Sequence, residues 1–140
     1  MICPQKARKD IICYKIVKKK KHKTGNKKYR TPCQKFPIRL YSEIKAEEST
    51  VRAKKYNGVC ILLHDLYIVE DGYIHCCTSI EHAKNWIKSN YGLFVHNRKQ
   101  SGRWAIIRCV IHKGTLYYKS NDGNEICAKQ IFTRGIELES

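Results

Sequence analysis

The stretch that decides the fold reads RWAIIRCVIHKGTLYY and runs from Arg103 to Tyr118. Seven of the eight residues from Trp104 to Ile111 are apolar or cysteine, which is too many for a strand with one face in water. Such a run indicates a strand covered on both faces. A Lys-Gly pair ends it, and β-favouring residues then resume. We therefore predict a central strand here, with neighbouring strands at Tyr73–Cys77 and Glu125–Phe132.

Local patterns predict the elements around it. Asp10–Val17 favours a first strand. The segment Thr78–Glu81 fits a helix capping box, and the apolar residues that follow recur at helical spacing as far as Asn90. A second helix is predicted over Ser42–Lys55, because Ser42 can cap it. The fold class predicted from these elements is α+β, with a mixed or antiparallel sheet and one or two helices.

At 140 residues the chain suits a single domain, residues 1–140, with its own hydrophobic core. No apolar run reaches membrane-spanning length, and Met1–Arg8 lacks the apolar centre of a signal peptide. We therefore expect a cytoplasmic protein of the host cell interior, without a membrane partner. The eight cysteines show no C-x-x-C pair, so the expectation is reduced cysteines and no metal.

Charge is distributed unevenly along the chain. Residues 1–60 hold 18 Lys and Arg against 4 Asp and Glu, whereas residues 61–140 hold 10 against 8. The net charge of +16 therefore belongs almost entirely to the first part of the chain. A solvated surface without a partner is one interpretation. An excess this one-sided favours a polyanionic partner.

The excess is densest in a predicted basic hairpin at about residues 14–31, where nine basic residues and no acidic one lie between Lys15 and Arg30. A Gly-Asn pair favours a turn in the middle of this segment. Lysines act as point charges, which suits the phosphate backbone of RNA or DNA. The predicted nucleic-acid contacts are Lys18, Lys19, Lys20, Lys21, Lys23, Lys27, Lys28 and Arg30, with a second cluster at Arg98, Lys99 and Arg103.

Four segments, in order along the chain, resemble motif blocks of the ADP-ribosyltransferase superfamily. Ile12–Lys15 resembles the first block, which holds the nicotinamide cofactor. Gly72–His75 resembles the middle block, and Ile106–Tyr118 is similar to the strand and turn that follow it. Asn124–Ile126 resembles the late block, in which a glutamate opens a strand. The resemblance implies an ADP-ribosyltransferase-like scaffold and, for an active enzyme, NAD as cofactor.

If the protein is an enzyme, the resemblance implies Lys15, His75 and Glu125 as catalytic residues. In the family the glutamate accepts a hydrogen bond from the ribose and stabilises a developing positive charge. The family's arginine or histidine falls at Lys15, which offers a point charge in place of a planar fork. Its Ser-Thr-Ser falls near His75–Cys77 or Cys77–Ser79. These departures favour a protein without enzymatic activity, in which Glu125 is a turn residue.

The same layout is similar to small, mostly uncharacterised proteins of phages and mobile elements, some of which counter host defence. The favoured hypothesis is a small basic protein that binds nucleic acid or a nucleoprotein complex and inhibits a host defence system such as a CRISPR effector. One alternative is an NAD-dependent ADP-ribosyltransferase that modifies a host target. Another is a protein-only interaction module, whose lysines meet an acidic protein surface.

Overall fold

The computed structural model describes residues 5–21, 27–31, 37–45, 60–61, 68–69, 73–94, 103–120 and 122–140. These residues contain twelve strands, and every pairing between them is antiparallel. Their bounds are β1 (Gln5–Lys6), β2 (Ile11–Lys21), β3 (Lys27–Arg30), β4 (Pro37–Ile38), β5 (Glu43–Lys45), β6 (Cys60–Ile61), β7 (Ile68–Val69), β8 (Ile74–Cys77), β9 (Trp104–Ile111), β10 (Leu116–Lys119), β11 (Glu125–Ala128) and β12 (Gln130–Glu139).

The α-helix in the described part of the chain is α1 (Ile80–Ser89), which a 3₁₀ turn follows at Tyr91–Phe94. Ser79 caps the helix by accepting a hydrogen bond from the His82 N–H at 3.1 Å. The capping residue is therefore one position later than the Thr78 that the sequence predicted. Within the described ranges, no helix has the length and apolar character needed to cross a membrane.

A ten-stranded antiparallel sheet with one ten-residue helix among the described residues is a mainly β fold, so the α+β prediction is wrong. The error is visible at Glu43–Lys45, predicted as the start of a helix, which forms β5 and pairs with β12. Ser42 does not cap a helix there, because its N–H donates to the Thr133 hydroxyl at 3.0 Å. Pairing with a distant strand overrides the local helix signal. The rest of that predicted helix, residues 46–55, lies outside the described residues.

The sheet follows the order β1-β10-β11-β8-β2-β9-β12-β5, and β3 and β4 extend it from β2. Strand β9 lies deep inside this order, and Ala105, Ile106 and Ile107 are buried in succession. The prediction of a strand covered on both faces is confirmed for Ala105–Ile107 but not for the whole strand, because Arg108 is exposed and Val110 is half-buried. Its predicted neighbours are only partly right, because β9 pairs with β2 and β12, whereas β8 pairs with β11 and β2.

The two faces of the sheet carry different cores. One face is lined by an apolar cluster that draws residues from both ends of the strand order, from Ala7 beside β1 to Ile44 of β5. On the opposite face, α1 and the 3₁₀ turn pack over Ile16 and Ile106. We call the first of these the open-core face, because α1 does not pack on it, and the second the helix face. Because neighbouring residues of a strand point to opposite faces, β2 and β9 supply both cores.

Candidate functional site

Glu125, the candidate glutamate, opens β11 on the helix face and is 5% exposed. Its register partner is Cys77 of β8. The His82 side chain of α1 comes from above, with Nε2 3.6 Å from the Glu125 carboxylate, and both side chains are less than 10% exposed. His82 is not among the site residues predicted from the sequence. The sequence feature that could have identified His82 is the serine three positions earlier. Ser79 is the N-cap, so it fixes where the helix begins and which residues of its first turn face the sheet.

A tight turn sets the position of Glu125. The Glu125 N–H donates to the Ser120 hydroxyl at 3.0 Å, and the Ser120 N–H donates back to the Glu125 carbonyl at 2.9 Å. The Ser120 hydroxyl donates to Asp122 at 2.6 Å, which lowers the pKa of that carboxyl. Because Ser79 caps the helix, the Thr78 hydroxyl is available for another partner. It donates to the Gly123 carbonyl at 2.6 Å and so connects this turn to the start of the helix. Glu125 is thus a buried residue and not the solvated turn residue considered as the alternative.

His75 lies on β8 on the same face as Cys77, opposite Cys127 in the sheet register. Its Nε2 is buried and has no hydrogen-bond partner among the described residues. Burial, reinforced by the nearby Lys15 ammonium, lowers the pKa of His75 to about 4. The imidazole is therefore neutral at physiological pH. Burial also raises the pKa of the Cys77 thiol to about 12, so this cysteine is not a ready nucleophile.

Lys15 lies on the other side of the sheet. It stands between Cys13 and Val17 on β2, and both belong to the open core, so its side chain enters that core. It is 9% exposed, and its ammonium donates to the His75 carbonyl at 2.7 Å. Strands β2 and β8 pair only at Tyr14 and Cys77, and the lysine bonds to the backbone of β8 beyond that pair.

Three thiols share the open core with this ammonium. Hydrogen bonds from Cys109 and Cys13, with a further contribution from Lys15, hold the pKa of Cys76 well below its usual range. The same bonding raises the pKa of Cys13 and of Cys109. The His75 carbonyl thus compensates the buried cation by a direct hydrogen bond. This arrangement is that of a structural lysine in a polar pocket of the core.

The three catalytic candidates therefore do not converge on one cleft. His75 and Glu125 are on the helix face, whereas the Lys15 ammonium is on the open-core face and touches His75 only through its carbonyl. Within the described ranges no group of three or more His, Cys, Asp or Glu residues is arranged to hold a metal ion. The geometry offers the ribose of a nicotinamide cofactor no common contact with all three residues.

The basic segment forms the strand pair β2–β3. Its register sets Lys18 opposite Arg30, Lys20 opposite Lys28 and Lys21 opposite Lys27. At the fourth position Lys19 is opposite Tyr29, which is 9% exposed. Three of the four cross-strand pairs therefore join like charges. We call this ladder, formed by Lys18–Lys21 and Lys27–Arg30, the basic ladder.

The base of the basic ladder is anchored to the sheet through Lys19. Its ammonium lies 3.2 Å from the Glu139 carboxylate and donates to the Ser140 carbonyl at 2.8 Å. Its backbone N–H donates to the Arg103 carbonyl at 3.1 Å, so Arg103 lies next to the ladder. Of the remaining predicted contacts, Lys23, Arg98 and Lys99 lie outside the described residues.

Comparison with protein-family models, with curated proteins and with solved structures finds no match to this chain. The resemblance to the ADP-ribosyltransferase superfamily therefore stays a prediction. The function has to be inferred from the geometry of the chain itself.

Proposed function

We propose that the protein binds the phosphate backbone of RNA or DNA through the basic ladder. The observation that carries this proposal is the register of β2 and β3, which opposes like charges at Lys18–Arg30, Lys20–Lys28 and Lys21–Lys27. Residues directly opposite in an antiparallel pair have Cβ atoms about 4.5–5.5 Å apart, and like-charged residues in such a pair destabilise it. A ladder built this way lowers its free energy when an anion lies against it.

The chain does pair its basic residues with acids or carbonyls where they have a structural role. Lys15 bonds to the His75 carbonyl and Lys19 pairs with Glu139. At Lys20–Lys28 and Lys21–Lys27 of the ladder the register supplies a basic partner instead. A phosphate backbone carries closely spaced negative charges and can neutralise several such positions together. The contrast supports a ladder kept for an external polyanion.

The part of β2 that precedes the ladder is held in the centre of the sheet. Strand β2 pairs with β9 over eight consecutive positions, from Ile11 to Lys18, and it continues without interruption into the ladder. The Lys19–Glu139 ion pair ties the junction to the end of β12. The charges are thus presented by a strand whose first part is fixed in the centre of the sheet. Such positioning lowers the entropic cost of binding.

The bound feature is the backbone and not a base sequence. Lysine ammonium groups are point charges and give no bidentate match to a base edge. A nucleoprotein complex that exposes its nucleic acid presents the same phosphates. We therefore extend the proposal to such complexes, including the host defence complexes suggested by the resemblance to phage proteins.

The test is a salt titration of the wild-type protein on duplex DNA, single-stranded DNA and RNA of random sequence. We expect the logarithm of the binding constant to fall linearly with the logarithm of the salt concentration, because each neutralised phosphate releases counterions. Affinities for different sequences of one nucleic-acid class should be similar. A flat titration, or no binding to any of the three at low salt, would contradict the proposal.

A further inference from the structure

A groove of about 400 Å³ lies on the surface between the β4–β5 turn and strands β9 and β12. Its lining includes Tyr41, Arg108, Arg134, Gly135 and Glu137. The volume falls in the range typical of small-molecule sites. None of these residues belongs to the basic ladder or to the Glu125 region, so the groove is a separate feature of the molecule.

Tyr41 has a strained backbone. Its φ is +52°, the left-handed region that bulky residues rarely adopt, and it is the one non-glycine residue with positive φ among those described. The side chain is nevertheless 73% exposed, so burial of the ring does not compensate the strain. Strained residues concentrate at functional sites, where the surrounding structure holds them in place.

The surrounding structure does hold this turn. Thr133 of β12 is fully buried, and its hydroxyl donates to the Arg39 carbonyl at 2.5 Å while accepting from the Ser42 N–H at 3.0 Å. The Thr133 N–H also donates to the Ser42 carbonyl at 2.8 Å. Bonds on both sides of Tyr41 thus fix the backbone of the turn that carries the exposed ring.

Strand β12 lies close to the Tyr41 ring. A Cβ on Gly135 would lie 2.7 Å from the Tyr41 hydroxyl oxygen, so glycine at this position lets the hydroxyl lie close to the strand without a shift of the ring. The register of β12 against β9 shifts twice, between Thr133 and Ile136 and between Ile136 and Leu138. Such bulges redirect side chains and are frequent beside functional sites.

Two guanidinium groups and one carboxylate complete the groove. The Arg108 Nε lies 3.9 Å from a Glu137 carboxylate oxygen, and the Arg134 guanidinium lies 6.0 Å from the Phe132 ring. The lining therefore combines an exposed aromatic ring, two cations and one acceptor. A ligand with an anionic group at one end and a flat, neutral ring at the other matches this mixture better than a simple anion does.

We propose that this groove holds one unpaired nucleotide of a bound nucleic-acid strand, with its base against Tyr41 and its phosphate against Arg108 and Arg134. The inference rests on the proposed function and adds a preference for unpaired bases. Aromatic rings stack on bases of any sequence, and arginine suits phosphate recognition. Glu137 restrains Arg108 and is an acceptor for an exocyclic amino group of the base.

The experiment compares two ligands of equal charge, a single-stranded oligonucleotide and an abasic strand with the same number of phosphates. We expect wild type to bind the base-bearing strand about tenfold more tightly, from stacking of one base. Tyr41→Ala should remove that preference and Tyr41→Trp should keep it. Tyr91→Ala, which changes another exposed tyrosine, is the matched control and should behave as wild type.

A second measurement locates the site. In a titration followed by NMR, the amide of Gly135 should shift with the base-bearing strand, while that of Gly114, in a turn outside the groove, should not. Equal affinity for the two ligands, or a preference that survives Tyr41→Ala, overturns the inference. If such a result comes with a steep salt dependence, the proposed phosphate binding by the basic ladder still stands. Failure to bind either ligand overturns both.

Discussion

The lysines in the two parts of strand β2 have opposite kinds of partner. From Ile11 to Val17 the strand runs through the middle of the sheet, and its one lysine, Lys15, is buried against the His75 carbonyl. From Lys18 to Lys21 the same strand carries only lysines and pairs mostly with basic residues of β3. One continuous strand thus contains a buried cation that a backbone carbonyl compensates and, further on, cations whose register partners are mostly basic.

Under the proposed function, this difference separates structural charge from charge that binds a partner. A buried cation has to be compensated inside the protein, because leaving it unpaired costs several kcal/mol. Exposed cations are hydrated, so evolution can tolerate their mutual repulsion at a small cost per pair. Where repulsion is concentrated in one ladder, the compensating charge is expected from a partner. The number of lysines in the sequence does not reveal this distinction, whereas the partner of each lysine in the folded protein does.

The largest expected effect comes from making one substitution in each part of β2. Lys15→Glu puts a carboxylate against a carbonyl oxygen in the core and should lower the free energy of unfolding by about 3–5 kcal/mol. Lys20→Glu turns a like-charge pair with Lys28 into an opposite-charge pair and should raise it by a few tenths, up to about 1 kcal/mol. Urea denaturation of both variants measures the difference. Equal destabilisation would show that the two parts of the strand are not distinct.

The second prediction concerns His75, which lies beside the buried lysine. Its pKa is about 4 in the folded protein against 6.5 for an ordinary histidine, so between these values only the unfolded chain takes up the proton. Stability should therefore fall as the pH is lowered from about 6.5 to about 4, by about 3 kcal/mol in total. His75→Gln should lose this part of the pH dependence, as measured by urea denaturation across the range. His112→Gln is the control and should keep it.

The third prediction tests the strain at Tyr41. Asparagine tolerates the left-handed region better than tyrosine, so Tyr41→Asn should raise the free energy of unfolding by about 0.5–1 kcal/mol. The same substitution should weaken binding to base-bearing single strands. Tyr91→Asn, at a tyrosine without positive φ, should give no such gain in a thermal melt. A loss of stability in Tyr41→Asn would show that the ring contributes more to folding than its strain costs.

The smallest expected effect is at the junction between the two parts of β2. Lys19 and Glu139 form a partly exposed ion pair, with side-chain exposures of 12% and 36%. A double-mutant cycle of Lys19→Ala and Glu139→Ala should give a coupling energy of about 0.5 kcal/mol. High salt should reduce it further. A coupling energy near zero would mean that the Lys19–Glu139 ion pair does not stabilise the junction, which the bond from Lys19 to the Ser140 carbonyl and the backbone bonds of β2 would then hold.

Local sequence patterns predicted the features that depend on neighbours along the chain. The run from Trp104 to Ile111, apolar or cysteine at seven of eight positions, indicated a strand covered on both faces, and the helix after Ser79 followed from its apolar spacing. Turn chemistry placed a reversal between residues now assigned to β2 and β3. These signals act over a few residues, where propensity and periodicity decide the conformation.

Features set by distant pairing could not be predicted in the same way. In β2 both alternating sets of residues are largely apolar, so the sequence did not show which face Lys15 would enter. The pairing of Glu43–Lys45 with β12 replaced a predicted helix. The Tyr41 groove depends on Thr133 and Gly135, more than 90 positions later in the chain. Their proximity to Tyr41 arises from the pairing of distant strands, and local sequence patterns do not predict it.

The most direct test of the account compares two variants that each lose four lysines. One carries serine at Lys20, Lys21, Lys27 and Lys28, and the control carries serine at four exposed lysines elsewhere, Lys9, Lys84, Lys88 and Lys113. Both lose the same net charge, and salt titrations on duplex DNA measure the slope of log K against log salt. We expect the ladder variant to lose about 3.6 units of slope, at about 0.9 for each of four phosphate contacts, with its melting temperature unchanged or raised. The control should keep a slope close to that of wild type. Equal slopes in the two variants would contradict the account, because binding would then follow net charge and not the basic ladder.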